Sequence, residues 1–134
     1  MIPMSAILYR SEATTIEGGS EELSILDISR RNNAARDITG FLYREDDVFY
    51  QWLEGPAQAV ADTFAAIRAD PRHKRVEELG RYPISERSFP SWSMGHVDKR
   101  TVSLFEWAAH NRIALHSVSP RQILTFLKHC AKNI

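Results

Sequence analysis

Thiol is nearly missing from this sequence: Cys130 is the one cysteine in 134 residues. That excludes an internal disulfide framework and fits a reducing compartment. An excess of charge is missing too. Seventeen Lys and Arg stand against seventeen Asp and Glu, so no overall field draws the chain to nucleic acid or an acidic membrane. No apolar run approaches the roughly 18 residues of a bilayer span, and no charged-then-apolar leader opens the chain. Repeats and low-complexity tracts are also lacking. The expectation is a soluble, cytoplasmic protein, long enough to bury a core and too short for two ordinary ones.

The apolar patterning is informative. "SAILYRS" suits a first strand, and Gly18-Gly19 then leads to Ser20, a candidate helix cap, with Glu21 and Glu22 favoured by the helix dipole. That helix runs through Leu23, Ile25, Leu26 and Ile28 to about Asn33. "DITGFLYREDDVFYQWLEGP" has the form of a hairpin turning at Glu45-Asp46-Asp47. Gly55-Pro56 stops its second strand and starts a helix striped by Val60, Phe64 and Ile67, which Asp70-Pro71 ends. Strands are expected around Glu77 to Pro83 and Ser91 to Val97. The order β-α-β-β-α-β-β predicts a ferredoxin-like α+β sandwich with two helices on one sheet face. Thr101 to Ile134 reads as two further helices, the second starting at Ser119-Pro120 and carrying Ile123, Leu127, Cys130 and Ile134. They are expected on the opposite face, where Tyr50 and Trp52 need a cover.

One residue is out of place in "VFYQWLEGP". Gln51 shares a strand face with Phe49 and Leu53, yet its amide must bond at both ends. Alternation puts Ile7 and Tyr9 on one face of the first strand, and predicts a shared face for Trp92, Met94 and His96 in the last. Ile25, Ser29, Asn32 and Asn33 fall on one side of the first helix. Such a surface suits a flat ligand with an apolar edge and an edge of alternating donors and acceptors. Singly, each residue has a plainer reading: Asn32-Asn33 as a helix end, Gln51 as an edge partner, Tyr9 as core.

"LYRSEA", "RNNAARDITGFLYREDDVFYQWLEGP", "IRADPRH" and "RSFPSWSMG" stand in the order and spacing of the BLUF domain, the blue-light receptor module using flavin adenine dinucleotide. The resemblance spans roughly residues 4–97 and implies a photosensory domain over 1–97 with a helical extension over 98–134. It further implies non-covalent FAD (FMN or riboflavin being alternatives), Tyr9 as electron and proton donor, and Gln51 as the switch beside the flavin. Ile25, Ser29, Asn32, Asn33, Leu42 and Ile67 match flavin contacts. Asp70, Arg72 and His73 match the segment flanking the ribityl and phosphate portion. Trp92 and Met94 match the last-strand pair that changes contacts in signalling, either of them being a candidate for the inward place.

The expected output is non-enzymatic: a signal to a separate regulatory protein, from a homodimer or higher homo-oligomer, without nucleic acid, membrane or metal. A flavin oxidoreductase, a non-photoactive interaction domain and a phosphatase using Arg10 or Arg72 are the rival classes. His110, His116 and His129 lack metal-ligand spacing and are expected at the surface, and "HKR" (73–75) as a solvated turn.

Overall fold

The computed structural model describes residues 3–133. Its elements are β1 (Met4–Ala13), α1 (Ser20–Ala35), β2 (Thr39–Glu45), β3 (Val48–Pro56), α2 (Ala57–Ala69), β4 (His73–Ile84), β5 (Gly95–Asp98), α3 (Leu104–His110) and α4 (Pro120–Lys132). A short 3-10 turn, Leu115–Ser117, links α3 to α4. The strands form one sheet in the order β4-β1-β3-β2-β5, antiparallel except where β5 runs parallel to β2. This is the expected α+β sandwich.

Strand alternation sorts the core into two layers. Ile7, Tyr9, Leu42, Phe49 and Leu53 lie with Leu26, Val60, Phe64 and Met94 on the face covered by α1 and α2. Leu8, Phe41, Tyr43, Trp52 and Val97 lie on the other, beneath Leu104 of α3 and Ile123, Phe126, Leu127 and Cys130 of α4. The α4 residues repeat at i, i+3, i+4 and i+7, which makes one apolar stripe. Ser119 and Gln122 close a reciprocal capping box at its start. Ile134, expected on the same stripe, lies outside the described residues.

Glu54 ties the outer layer to the β4–β5 connection. Its fully buried carboxylate accepts from Trp52 Nε1 at 2.8 Å, Thr39 Oγ1 at 2.9 Å, and the Ser88 and Phe89 amides at 2.7 Å. A buried charge so supplied with donors is tolerated where a bare one is not.

Four local expectations are corrected. Gly19, not Ser20, occupies the N-cap of α1, without a side-chain cap; instead Glu22 Oε2 accepts from the Gly18 amide at 2.6 Å. Helix α1 continues two residues past Asn33. The "HKR" stretch belongs to β4, an edge strand whose polar sequence hides its ladder. Its register against β1 slips between Leu8/Tyr9 and Arg10/Glu12, and Arg75, with φ of +50°, absorbs the second slip as bulge residues do. Finally, β5 is shorter than expected. The chain instead turns at Phe89–Trp92 and bends at Ser93 and Met94, with the Trp92 amide on Phe89 O at 3.2 Å and Trp92 O accepting from Gly40 N at 3.0 Å. Trp92 and Met94 therefore do not alternate as strand neighbours.

Leu127 is fully buried and Leu23 is 58% exposed. Leu127→Ala should lower unfolding stability in urea by about 2–5 kcal/mol, while Leu23→Ala should stay within about 0.5 kcal/mol.

Candidate functional site

The register of the central strands sets the floor of the site. Tyr9 pairs with Gln51, and Gln51 with Leu42. Directly opposed residues on one face put their Cβ atoms about 4.5–5.5 Å apart, so phenol, carboxamide and leucine form a row across three strands. Next to the row, Gln51 Nε2 donates to Met94 Sδ at 3.2 Å. A thioether is a weak acceptor, so this buried amide is poorly satisfied. Tyr9 is worse off: its hydroxyl is buried and has no hydrogen-bond partner among the described residues. Burial first, then the nearby Asp70 charge, push its pKa above the ordinary phenol range. The phenol keeps its proton.

Above this floor, α1 and α2 enclose a cleft of about 160 Å³. Ile25, Ser29, Asn32 and Asn33 enter from α1, Ile67 from α2, and Asp70, Arg72 and His73 from the segment after it, with Gln51 below. Nine of the ten expected contacts thus surround one opening; Leu42 lies under it, beside Gln51. The structure separates the last pair. Met94 belongs to the inner layer, whereas Trp92 packs on the outer one, 5.9 Å from the Phe41 ring centroid. A turn, unlike a strand, imposes no two-residue parity.

The cleft holds residues that sequence reasoning missed. Ile28, Arg36, Leu53, Thr63 and Ala66 also line it; Ile28 and Thr63 follow from the helical spacing of Ile25 and Ile67, three and four residues away. Phe64 packs against Tyr9 with centroids 5.3 Å apart. Arg30 Nε donates to Met94 O at 3.0 Å, and Asn33 Nδ2 to Ser93 O at 2.8 Å. No one-dimensional signal marks those two bonds, because they join residues about sixty positions apart.

At the rim, Arg72 grips Asp70, with Nη2 2.7 Å from Oδ2, and that bond holds the Asp70 carboxyl below the usual carboxylate range. His73 Nδ1 lies 3.0 Å from Ser11 Oγ, and burial lowers its pKa, leaving a neutral imidazole. Cys130 is buried in the opposite layer with its thiol pushed up to about 12 by desolvation, so it offers the cleft no thiolate. His110, His116 and His129 are exposed. Among the described residues no group of three or more His, Cys, Asp or Glu is placed to hold a metal ion, and no helix is long and apolar enough to cross a membrane.

Fold and site together define an α+β module with a polar-edged cleft between two helices, above a buried, unpartnered phenol. Comparison with known proteins gives the family. The model for BLUF, "Sensors of blue-light using FAD", matches residues 4–95. The photoactivated adenylate cyclase subunit beta of Euglena gracilis is 33% identical over 103 residues, 76% of this chain and 12% of that protein. The blue light- and temperature-regulated antirepressor BluF of Escherichia coli is 34% identical over 76 residues. The chain thus spans about an eighth of the length of the cyclase relatives. Among solved structures, BlrB in its dark state superposes with a TM-score of 0.83 at 30% identity, covering 100% of this chain and 99% of that one. BlsA in its ground state gives 0.79 at 29%, covering 92% and 85%. The chain belongs to the BLUF family of flavin-dependent blue-light sensors. Its residues fit that cofactor: the unpartnered Tyr9 hydroxyl and the under-bonded Gln51 amide lie where a ring with polar edges would meet them.

An unpartnered buried hydroxyl is a liability in the flavin-free protein. Tyr9→Phe should leave its thermal stability unchanged or raise it; a cost above about 2 kcal/mol would show that the hydroxyl has a partner.

Proposed function

We propose that this chain is the light-input module of a signalling system, with Tyr9 and Gln51 as its photochemical pair. The observation that carries this is the Tyr9–Gln51 pair beneath the cleft with Met94 beside it, in which a proton-retaining phenol without a partner adjoins an amide bonded only to sulfur. Flavin, when bound, supplies the blue-light absorption and the electron-accepting ring. Tyr9 is the donor of electron and proton. Gln51 is the switch: its two ends are chemically opposite, so reversing the amide exchanges donor for acceptor at the flavin edge. Asn33 and Asn32 hold the polar edge, Ile25 and Ile67 sandwich the ring, and Leu42 and Ser29 make lesser contacts. Asp70, Arg72 and His73 flank the ribityl and phosphate portion.

Met94 is the first residue outside the row to feel Gln51 turn, because their bond must break or re-form. Trp92, on the outer layer, carries the same displacement to the face under α3 and α4. One hydrogen-bond exchange is worth about 0.5–1.5 kcal/mol net, which shifts a two-state population roughly two- to twelvefold. Full switching therefore needs an interface that prefers one state. Relatives named as cyclases and as an antirepressor indicate that one kind of light input serves different outputs. Here residues 1–97 act as the sensor and residues 98–134 as the extension that presents its state to a separate regulatory protein in the cytoplasm. A homodimer or larger homo-oligomer is the form in which that interface works. The module senses and does not turn over a substrate.

Purified protein carrying flavin should show a reversible shift of absorption to longer wavelength under blue light while the flavin stays oxidised. Tyr9→Phe should retain flavin and lose the shift. A normal photocycle in that variant contradicts the donor assignment; accumulation of reduced flavin with substrate consumed points to an oxidoreductase.

A further inference from the structure

Buried charge away from the cleft is matched by charge. The buried Arg44 guanidinium has Glu22 at 3.0 Å, Glu17 at 3.8 Å and Asp47 at 3.7 Å, and His96 Nε2 stands 3.2 Å from the second Glu22 oxygen. That cluster joins α1, β2 and β5 and is accounted for by its own members. The cleft is different, because one of its cations is left over.

Four residues that line the cleft are ionisable: Arg36, Asp70, Arg72 and His73. Arg72 and Asp70 neutralise each other through paired bonds, Nη2 to Oδ2 at 2.7 Å and Nε to Oδ1 at 3.0 Å. His73, its Nδ1 3.0 Å from Ser11 Oγ, is kept neutral by burial, and Glu21 at the start of α1 adds negative charge on that side. This flank therefore offers hydrogen bonds but no positive charge. Arg36 remains. Its Nη1 donates to Thr63 Oγ1, a neutral partner, at 3.1 Å, and among the described residues no carboxylate forms an ion pair with it. The acids next to this pair in the chain are engaged elsewhere: Asp37 with Arg87 at 3.1 Å, and Asp62 with Gln58 Nε2 at 2.8 Å.

Arg36 does not serve its own helix. It is the C-cap residue of α1, where a cation ordinarily attends the last carbonyls. Instead the guanidinium crosses to α2, so that its bond to Thr63 bridges the two walls of the cleft. A guanidinium carries N–H donors and no acceptor, and a hydroxyl whose oxygen is accepting still has a proton to give. The pair thus presents donors and positive charge at the opening. A phosphate is the complementary group, anionic and rich in acceptor oxygens.

Resting on the reading that the cleft takes a flavin, we propose that Arg36 and Thr63 form its phosphate subsite and select the phosphorylated flavins, FMN and FAD, over riboflavin. The ring meets apolar and amide contacts that all three forms share, so the discrimination falls on this one guanidinium. Asp70, Arg72 and His73 supply neutral bonds on their side of the opening, and Arg36 supplies the charge. In the flavin-free protein its donors are spent on Thr63; a phosphate takes them over, and the Thr63 hydroxyl is then free to turn its own proton toward the same anion.

The test titrates flavin-free full chain with riboflavin, FMN and FAD in darkness, at low and at high salt, for wild type, Arg36→Gln and Arg36→Lys. Wild type should bind FMN and FAD about tenfold more tightly than riboflavin at low salt, with the margin shrinking as salt screens the ion pair. Arg36→Gln should abolish that preference and leave riboflavin affinity unchanged. Arg36→Lys, which keeps the charge but not the fork, should retain part of it. An unaltered FMN-to-riboflavin ratio in Arg36→Gln, or an equal weakening of all three flavins, overturns the subsite while the flavin site stands. Equal affinity of wild type for the three flavins does the same. Failure of wild type to bind any of them overturns the flavin-site reading itself, and the subsite with it.

Discussion

Gln51, buried at the floor of the cleft, donates to a sulfur, a weaker acceptor than an oxygen. That single under-made bond, 3.2 Å long and beside the bare Tyr9 hydroxyl, is the feature on which the proposed amide reversal depends. A buried polar group left short of partners costs about 1–3 kcal/mol, comparable to what one amide reversal moves. A stronger acceptor at Met94 would hold the amide more firmly than the thioether does.

The rest of the fold keeps this arrangement in place. Both sheet faces are buried, so a one-residue slip would turn every inward side chain outward; the Tyr9–Gln51–Leu42 row is fixed by that constraint. The outer layer, closed by α3 and α4 and pinned by Glu54, is equally a support for the inner one. Its carboxylate fixes the middle of the β4–β5 connection through the Ser88 and Phe89 amides, a few residues before Met94. Motion is left to the segment that follows. Ser93 and Met94 are held by side chains, Asn33 and Arg30, and the following strand has one neighbour. Side-chain bonds to a turn can be exchanged at less expense than a strand can be pulled from a sheet.

Much of this could be read in the sequence because strands and helices have fixed periods. The parity of "VFYQWLEGP" put Gln51 inward with Phe49 and Leu53, and helical spacing gathered Ile25, Ser29 and the asparagines on one side. Where the backbone leaves those periods the reading stopped. Trp92 and Met94 were assigned one face as strand residues, and the turn and bend over 89–94 send them to opposite layers. The length of β4 was hidden because this edge strand is half-buried or exposed at every position, so no apolar alternation marks it. Glu22, Arg44 and His96 were illegible for a different reason. Charged residues are usually surface, and only the three-dimensional meeting of α1, β2 and β5 removes these three from water.

The proposed mechanism couples the reversal of one amide to the contacts of Met94 through hydrogen bonds worth about one kcal/mol each. The most direct test replaces the amide and leaves the donor. In flavin-loaded Gln51→Leu, the light-minus-dark absorption spectrum should lose the long-wavelength shift while Tyr9 is still oxidised by the excited flavin on a fast timescale. An undiminished shift in that variant would contradict the account.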